Sequence, residues 1–144
     1  MNQKTTVTGS CLCGRVAFEV EGPVKWCGHC HCDLCRRAHG AAFVTWFGVA
    51  REHFFLKGGK EDLRWYHSSE EAERGFCVEC GSTMFFSSTR WADEMHIALP
   101  FVHGDISKAP SVHVYWDRQV SWVSVHDDLK KLGGPTGVEA LEHG

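Results

Sequence analysis

The chain has 144 residues, 43% hydrophobic and 23% charged, and a formal net charge of −3. That length suits one domain with a real core, and the composition excludes disordered and collagen-like classes. Its 15 Lys and Arg are scattered apart from Arg36-Arg37 and Lys130-Lys131, which speaks against nucleic acid as a partner.

Met1 to Thr8 contain no apolar h-region, so no secretory leader is expected, and no apolar run approaches the ~20 residues of a membrane span. The expected compartment is the cytoplasm. There, eight cysteines point to metal or redox chemistry rather than to disulfides. Arg15 to Val20 alternates, with Val16, Phe18 and Val20 on one face, as a half-buried strand does. Asp33 to His39 could make a helix of a turn or two, capped by Asp33 and ended by Gly40. Ala42 to Val49 is apolar, aromatic and β-branched, the pattern of a well-buried strand.

Phe54 to Lys57 and Leu63 to Tyr66 read as two strands joined by a turn containing Gly58-Gly59. Further strands are expected at Ser82 to Ser87, Met95 to Leu99 and Val112 to Tyr115, with a weaker one at Ser121 to Val125. Strands every ten or so residues with almost no helix suggest an all-β sandwich, barrel or tent. No repeat or linker divides the chain, so residues 1–132 read as a single domain. Gly133-Gly134-Pro135-Thr136-Gly137 opens a tail, 133–144, expected to be flexible and without regular structure. The six Trp and nine Phe are assigned to the core, and most of the ten His to ordinary satisfied polar positions.

The cysteines fall in three places. Cys77-Val78-Glu79-Cys80-Gly81 is a zinc-knuckle pattern: two intervening residues let both sulfurs face one ion, and the glycine supplies a backbone conformation that other residues adopt only at a cost. Cys11-Leu12-Cys13-Gly14 is a tighter version. Each pair offers two ligands and a structural site needs four, so joining them would close the domain like a clasp.

The middle group, Cys27 followed by Cys30-His31-Cys32-Asp33-Leu34-Cys35, offers three closely spaced sulfurs. Three protein ligands are the mark of a catalytic zinc, four that of a structural one. If Cys27 is a fourth ligand the site is closed. If not, a thiol or water can enter. Arg36, Arg37 and the helix start near Asp33 would offset the thiolate charge. Iron also accepts four thiolates, but the single CxxCG knuckle favours zinc.

Together these residues resemble the glutathione-dependent formaldehyde-activating enzyme family, which includes centromere protein V. The resemblance is carried by Gly9-Ser10-Cys11-Leu12-Cys13-Gly14-Arg15-Val16 with Phe18-Glu19-Val20, and by Cys30-His31-Cys32-Asp33-Leu34-Cys35-Arg36-Arg37 with Gly40-Ala41. It continues through Tyr66, Ser68-Ser69 and Arg74-Gly75-Phe76-Cys77-Val78-Glu79-Cys80-Gly81-Ser82. A looser match follows around Pro110, His113-Val114-Tyr115 and Ser121-Trp122.

The resemblance implies an all-β, tent-like fold of packed antiparallel sheets with two zinc ions. Cys11, Cys13, Cys77 and Cys80 would hold a structural zinc; Cys30, Cys32 and Cys35 would hold a second with an exchangeable position. Cys27 lies outside the family motif. The implied reaction is carbon–sulfur lyase chemistry, in which a thiol such as glutathione adds to formaldehyde or a related small electrophile, or the reverse. Arg36, Arg37, Arg64 and Arg118 are the candidate cations for the two carboxylates of glutathione. Two other readings compete: a non-catalytic zinc domain used for protein interaction, and a redox role in which Cys27 and Cys30 form a reversible disulfide.

Overall fold

The computed structural model describes residues 6–141. Residues 1–5, part of the segment read as free of a leader, and residues 142–144 of the expected tail lie outside the described residues. In chain order the strands are β1 (Thr6–Ser10), β2 (Ala17–Glu21) and β3 (Trp26–Cys30), followed by helix α1 (Asp33–His39). Next come β4 (Val44–Ala50), β5 (Phe54–Gly58), β6 (Leu63–His67), β7 (Ala72–Cys77), β8 (Thr83–Ser88) and β9 (Glu94–Ala98). The last are β10 (Val102–His103), β11 (Val112–Val114), β12 (Lys130–Gly133) and β13 (Glu139–Ala140). The fold is mostly β, with packed antiparallel sheets that do not close into a barrel and one α-helix among the described residues. No helix among those residues is long and apolar enough to cross a membrane.

The residues group into two compact units, one formed by the chain up to Lys25 with Phe47–Lys108, the other by Trp26–Trp46 with the chain from Ala109 on. In the first unit β10-β1-β2-β5 form a four-stranded antiparallel sheet, and β6 to β9 run as an antiparallel meander. The alternation expected in β2 is realised: Val16, Phe18 and Val20 are buried. Phe18 packs edge-on against Phe85 of β8 at 5.5 Å, and Phe54 of β5 meets Phe85 at 5.1 Å. Such pairs add about 0.5–1.5 kcal/mol each beyond the area they bury.

β5 and β6 exist as expected but do not pair with one another. β5 pairs with β2 and β6 with β7, and a 3-10 turn at Lys60–Asp62 separates them. The physical reason lies at Gly59. It takes a left-handed φ of 78°, and any side chain there would run into the Arg15 carbonyl, so the glycine seats the chain against the β1–β2 connection rather than closing a hairpin.

In the second unit β11 lies between β3 and β12 and is parallel to both, while β12 and β13 are antiparallel. The register Val112↔Gly28 brings the Val112 side chain so close that a Cβ at Gly28 would sit 2.7 Å from it. The weak strand expected at Ser121 to Val125 is not formed; that stretch consists of bends and irregular chain. Of Gly133-Gly134-Pro135-Thr136-Gly137, the last four form turns and bends and only the first lies in a strand. Gly133 ends β12, the Gly137 amide donates to the Gly134 carbonyl, and β13 pairs back with Leu132↔Ala140. Gly134 and Gly137 supply left-handed turn conformations in the connection from β12 to β13.

Candidate metal centres

Two groups of cysteine sulfurs converge, each within one unit. In the first unit, Cys11, Cys13, Cys77 and Cys80 place all four Sγ atoms within 4.8 Å of one another. Cys11 and Cys13 sulfurs are 3.6 Å apart, and those of Cys13 and Cys77 3.8 Å. A tetrahedron of sulfurs around zinc has edges of about 3.8 Å, so the donor set fits that ion.

The supporting hydrogen bonds are those of a knuckle. The Val16 amide donates to Cys11 Sγ at 3.3 Å, and the Gly81 amide donates to the Cys77 carbonyl. Gly14 and Gly81, the residues after each pair, both take left-handed φ. Ser82, with no assigned role at the sequence level, accepts from the Leu12 amide at 3.1 Å and lies 3.2 Å from Cys80 Sγ, tying one pair to the other.

Without a cation these sulfurs are in conflict. An amide hydrogen bond at Arg15 lowers the Cys13 thiol, but burial and the neighbouring sulfurs outweigh it and push it up to about 12. Burial raises Cys80 as well, but hydrogen bonds from Ser82, the Cys13 backbone and Cys77 outweigh that and bring it down to about 5. A dication held among these sulfurs would displace their remaining protons.

In the second unit, Cys30 closes β3, Cys32 caps α1 and Cys35 lies within it, and their three Sγ atoms also lie within 4.8 Å of one another. Among the described residues no fourth Cys, His, Asp or Glu ligand atom joins the group. The helix spans the expected residues and ends at Gly40, which takes a left-handed φ of 61°. Its cap, however, is Cys32 rather than Asp33: Cys32 Sγ accepts from the Cys35 amide at 3.3 Å. One residue therefore starts the helix and aims a sulfur. Hydrogen bonds shared with Cys32 and Cys35, and then burial, hold the Cys30 thiol well above its ordinary range.

Cys27 is fully buried, and burial pushes its thiol up to about 11. In β3 it has the opposite parity to Cys30 and so points to the other face of the strand. It behaves as a small core residue. A disulfide between Cys27 and Cys30 would require unmaking the strand. Cys27→Ala is expected to cost about 1 kcal/mol in a denaturant melt, as a small core deletion does, and to leave zinc content unchanged.

Of the candidate cations, Arg36 is engaged by its own loop, its Nε donating to the His31 carbonyl at 3.0 Å. Arg37 is exposed on α1. Arg118 reaches Asp33 at 3.8 Å, at the start of α1 beside Cys32. Arg64 lies in β6, in the other unit.

The histidines carry more than sequence reasoning assigned them. His31, between two of the cluster cysteines, is 1% exposed, and its Nε2 lies 2.8 Å from His113 Nδ1. His113, fully buried in β11, contacts Asp127 through Nε2 at 2.9 Å. The signals available in the sequence were the place of His31 in the Cys30-to-Arg37 motif and of His113 in the looser C-terminal one; Asp127 left none.

Fold and site together define a mostly-β protein with one four-cysteine and one three-cysteine centre suited to soft metal ions. The chain belongs to the glutathione-dependent formaldehyde-activating enzyme family, whose model matches residues 6–118. A Halomonas elongata protein provisionally named a glutathione-dependent formaldehyde-activating enzyme is 26% identical over 124 residues, covering 81% of this chain and 79% of that protein. An uncharacterised lyase of Schizosaccharomyces pombe is 34% identical over 83 residues, 56% of this chain and 57% of that one. A Rhodobacter sphaeroides crystal structure shares the fold, with a TM-score of 0.59 at 24% identity, covering 69% of this chain and 91% of that chain.

Proposed function

We propose that this protein is a zinc-dependent carbon–sulfur lyase that adds a thiol such as glutathione to formaldehyde or a related small electrophile, or runs the reverse cleavage, in the cytoplasm. The observation that carries the reading is the contrast between the two centres: four converging sulfurs in one, three in the other, with Cys27 turned away from the second. In the forward direction the thiol sulfur forms a bond to the carbonyl carbon, the π electrons move to oxygen, and the thiol proton ends on that oxygen. A zinc ion held by Cys30, Cys32 and Cys35 would supply the Lewis acidity that lowers the thiol's pKa or polarises the aldehyde.

The protein's own residues do the rest. Cys32 fixes the helix start, and Arg36 braces the loop that carries Cys30 and Cys32. Arg118, half-exposed beside Asp33, is the cation best placed to receive a substrate carboxylate. The four-cysteine centre serves as the structural zinc.

Protein purified without chelators is expected to carry about two zinc ions per chain by elemental analysis; one ion or none would sink the two-centre assignment. Glutathione is expected to raise the melting temperature in a concentration-dependent way, by about 2.7 kcal/mol of stabilisation at 100 times its Kd. X-ray absorption on zinc should show the second centre passing from three sulfurs to four. Two zinc ions with no response to any thiol would instead favour a non-catalytic zinc domain that binds a protein partner.

A further inference from the structure

We propose that Asp127 and His113 are positioning residues for the three-cysteine centre, acting through His31; this deepens the zinc reading of that centre and rests on it. Asp127 carries its carboxylate at the edge of the unit, 31% exposed, and the hydrogen bond from His113 comes first among the causes that hold it below its ordinary range. An ionised carboxylate only accepts, so His113 Nε2 carries a proton and donates to Oδ2 at 2.9 Å. If that is the only proton on the His113 ring, Nδ1 is an acceptor and the 2.8 Å contact to His31 is a donation from His31 Nε2. His31 Nδ1 is then a bare, buried acceptor with no hydrogen-bond partner among the described residues. One carboxylate thereby sets the tautomer of two buried rings.

The strand geometry turns this chain into an aiming device. The His31 amide donates to the Val114 carbonyl, extending the β3–β11 ladder by one residue. Along that extension His29 and His31 lie on one face and Cys30 on the other. The His31 ring is gripped by Phe43 at 5.0 Å, Trp116 at 5.2 Å and His113, and its carbonyl is held by Arg36. Residue 31 is thus clamped through ring, amide and carbonyl. Cys30 and Cys32, on either side of it, have their sulfurs aimed by a backbone that has no other freedom.

Asp127→Asn tests the chain, because the Leu129 amide donates to Oδ1 at 3.1 Å. That contact keeps an oxygen at the Oδ1 place, so the new amide nitrogen faces His113 Nε2 and donates to it. His113 must then carry its proton on Nδ1 and His31 on Nδ1 as well. In cadmium-loaded full-length protein, imidazole nitrogen NMR should show both rings as Nε2–H tautomers in the wild type and as Nδ1–H tautomers in the variant. Because the proton moved to His31 Nδ1 becomes a buried donor with no partner among the described residues, residue 31 is no longer held in place, and chelator competition should show the three-cysteine centre losing about tenfold or more in cadmium affinity, while the four-cysteine centre is unchanged and reports that the fold is intact.

An Nδ1–H tautomer on His31 in the wild type overturns the proposal without reference to any variant. Reversed tautomers with second-centre affinity within twofold of wild type overturn the positioning role alone. A wild-type protein that takes up only one cadmium overturns the zinc reading of that centre and the positioning role with it.

Discussion

Replacing Cys77 by serine is expected to leave a chain that no longer folds at ambient temperature, with the first zinc lost. Cys77 is fully buried at the end of β7, in register with Leu63 of β6, and its amide donates to the Ser82 carbonyl. Its sulfur is one of four that join two segments more than sixty residues apart. Structural zinc contributes about 10–16 kcal/mol in small domains, while a whole domain is stable by only about 5–15 kcal/mol. Losing even half of that contribution, about 5–8 kcal/mol, is comparable to the whole margin of an ordinary domain. Circular dichroism melts with zinc analysis check this: a Cys77→Ser protein that melts within a few degrees of wild type shows that the four-cysteine centre is not structural.

Cys32→Ser is expected to do the opposite, keeping the fold and abolishing the chemistry. Cys32 caps α1 with its side chain, and serine is among the best helix caps, so the hydroxyl can take over the bond from the Cys35 amide. The cost to stability should stay near 1 kcal/mol. The centre, by contrast, falls from three thiolates to two, which is too few to retain a zinc ion against solvent. Thiol-to-aldehyde addition should drop by at least about 100-fold, the scale of losing one strong transition-state interaction, and zinc content should fall from two per chain to one. Retained activity, or a loss of fold as severe as that of Cys77→Ser, would remove the distinction between the two centres.

Much of this was legible before any coordinates. The ligand pairs Cys11–Cys13 and Cys77–Cys80 announce themselves because knuckle chemistry is local: the spacing and the following glycine are both sequence facts, and both glycines take the expected left-handed φ. The alternating run of β2 and the span of α1 were equally readable, since both patterns need only neighbours in the chain, although the cap proved to be Cys32 and not Asp33. β3 and β7 were not readable. Trp-Cys-Gly-His-Cys and Ala-Glu-Arg-Gly-Phe-Cys hold few strand-forming residues, and they become strands because β11 presents a partner to the first, and β6 and β8 to the second.

The sequence by itself therefore determined that the protein carries cysteines at metal-ligand spacing, that it is mostly β, and to which family it belongs. The family resemblance already implied the two sets of sulfurs, and only the tertiary structure decided that Cys27 stands outside both. Cys27 and Cys30 are spaced like a ligand pair, but a strand sends residues of opposite parity to opposite faces, so one is core and the other a donor. The same holds for Asp127, His113 and His31. Nothing in their spacing relates them, and it is the parallel pairing of β3 with β11, across more than eighty residues of chain, that brings the two rings within one hydrogen bond. Local chemistry can be read from neighbours in the chain; a hydrogen-bonded relay exists only once distant strands have chosen each other.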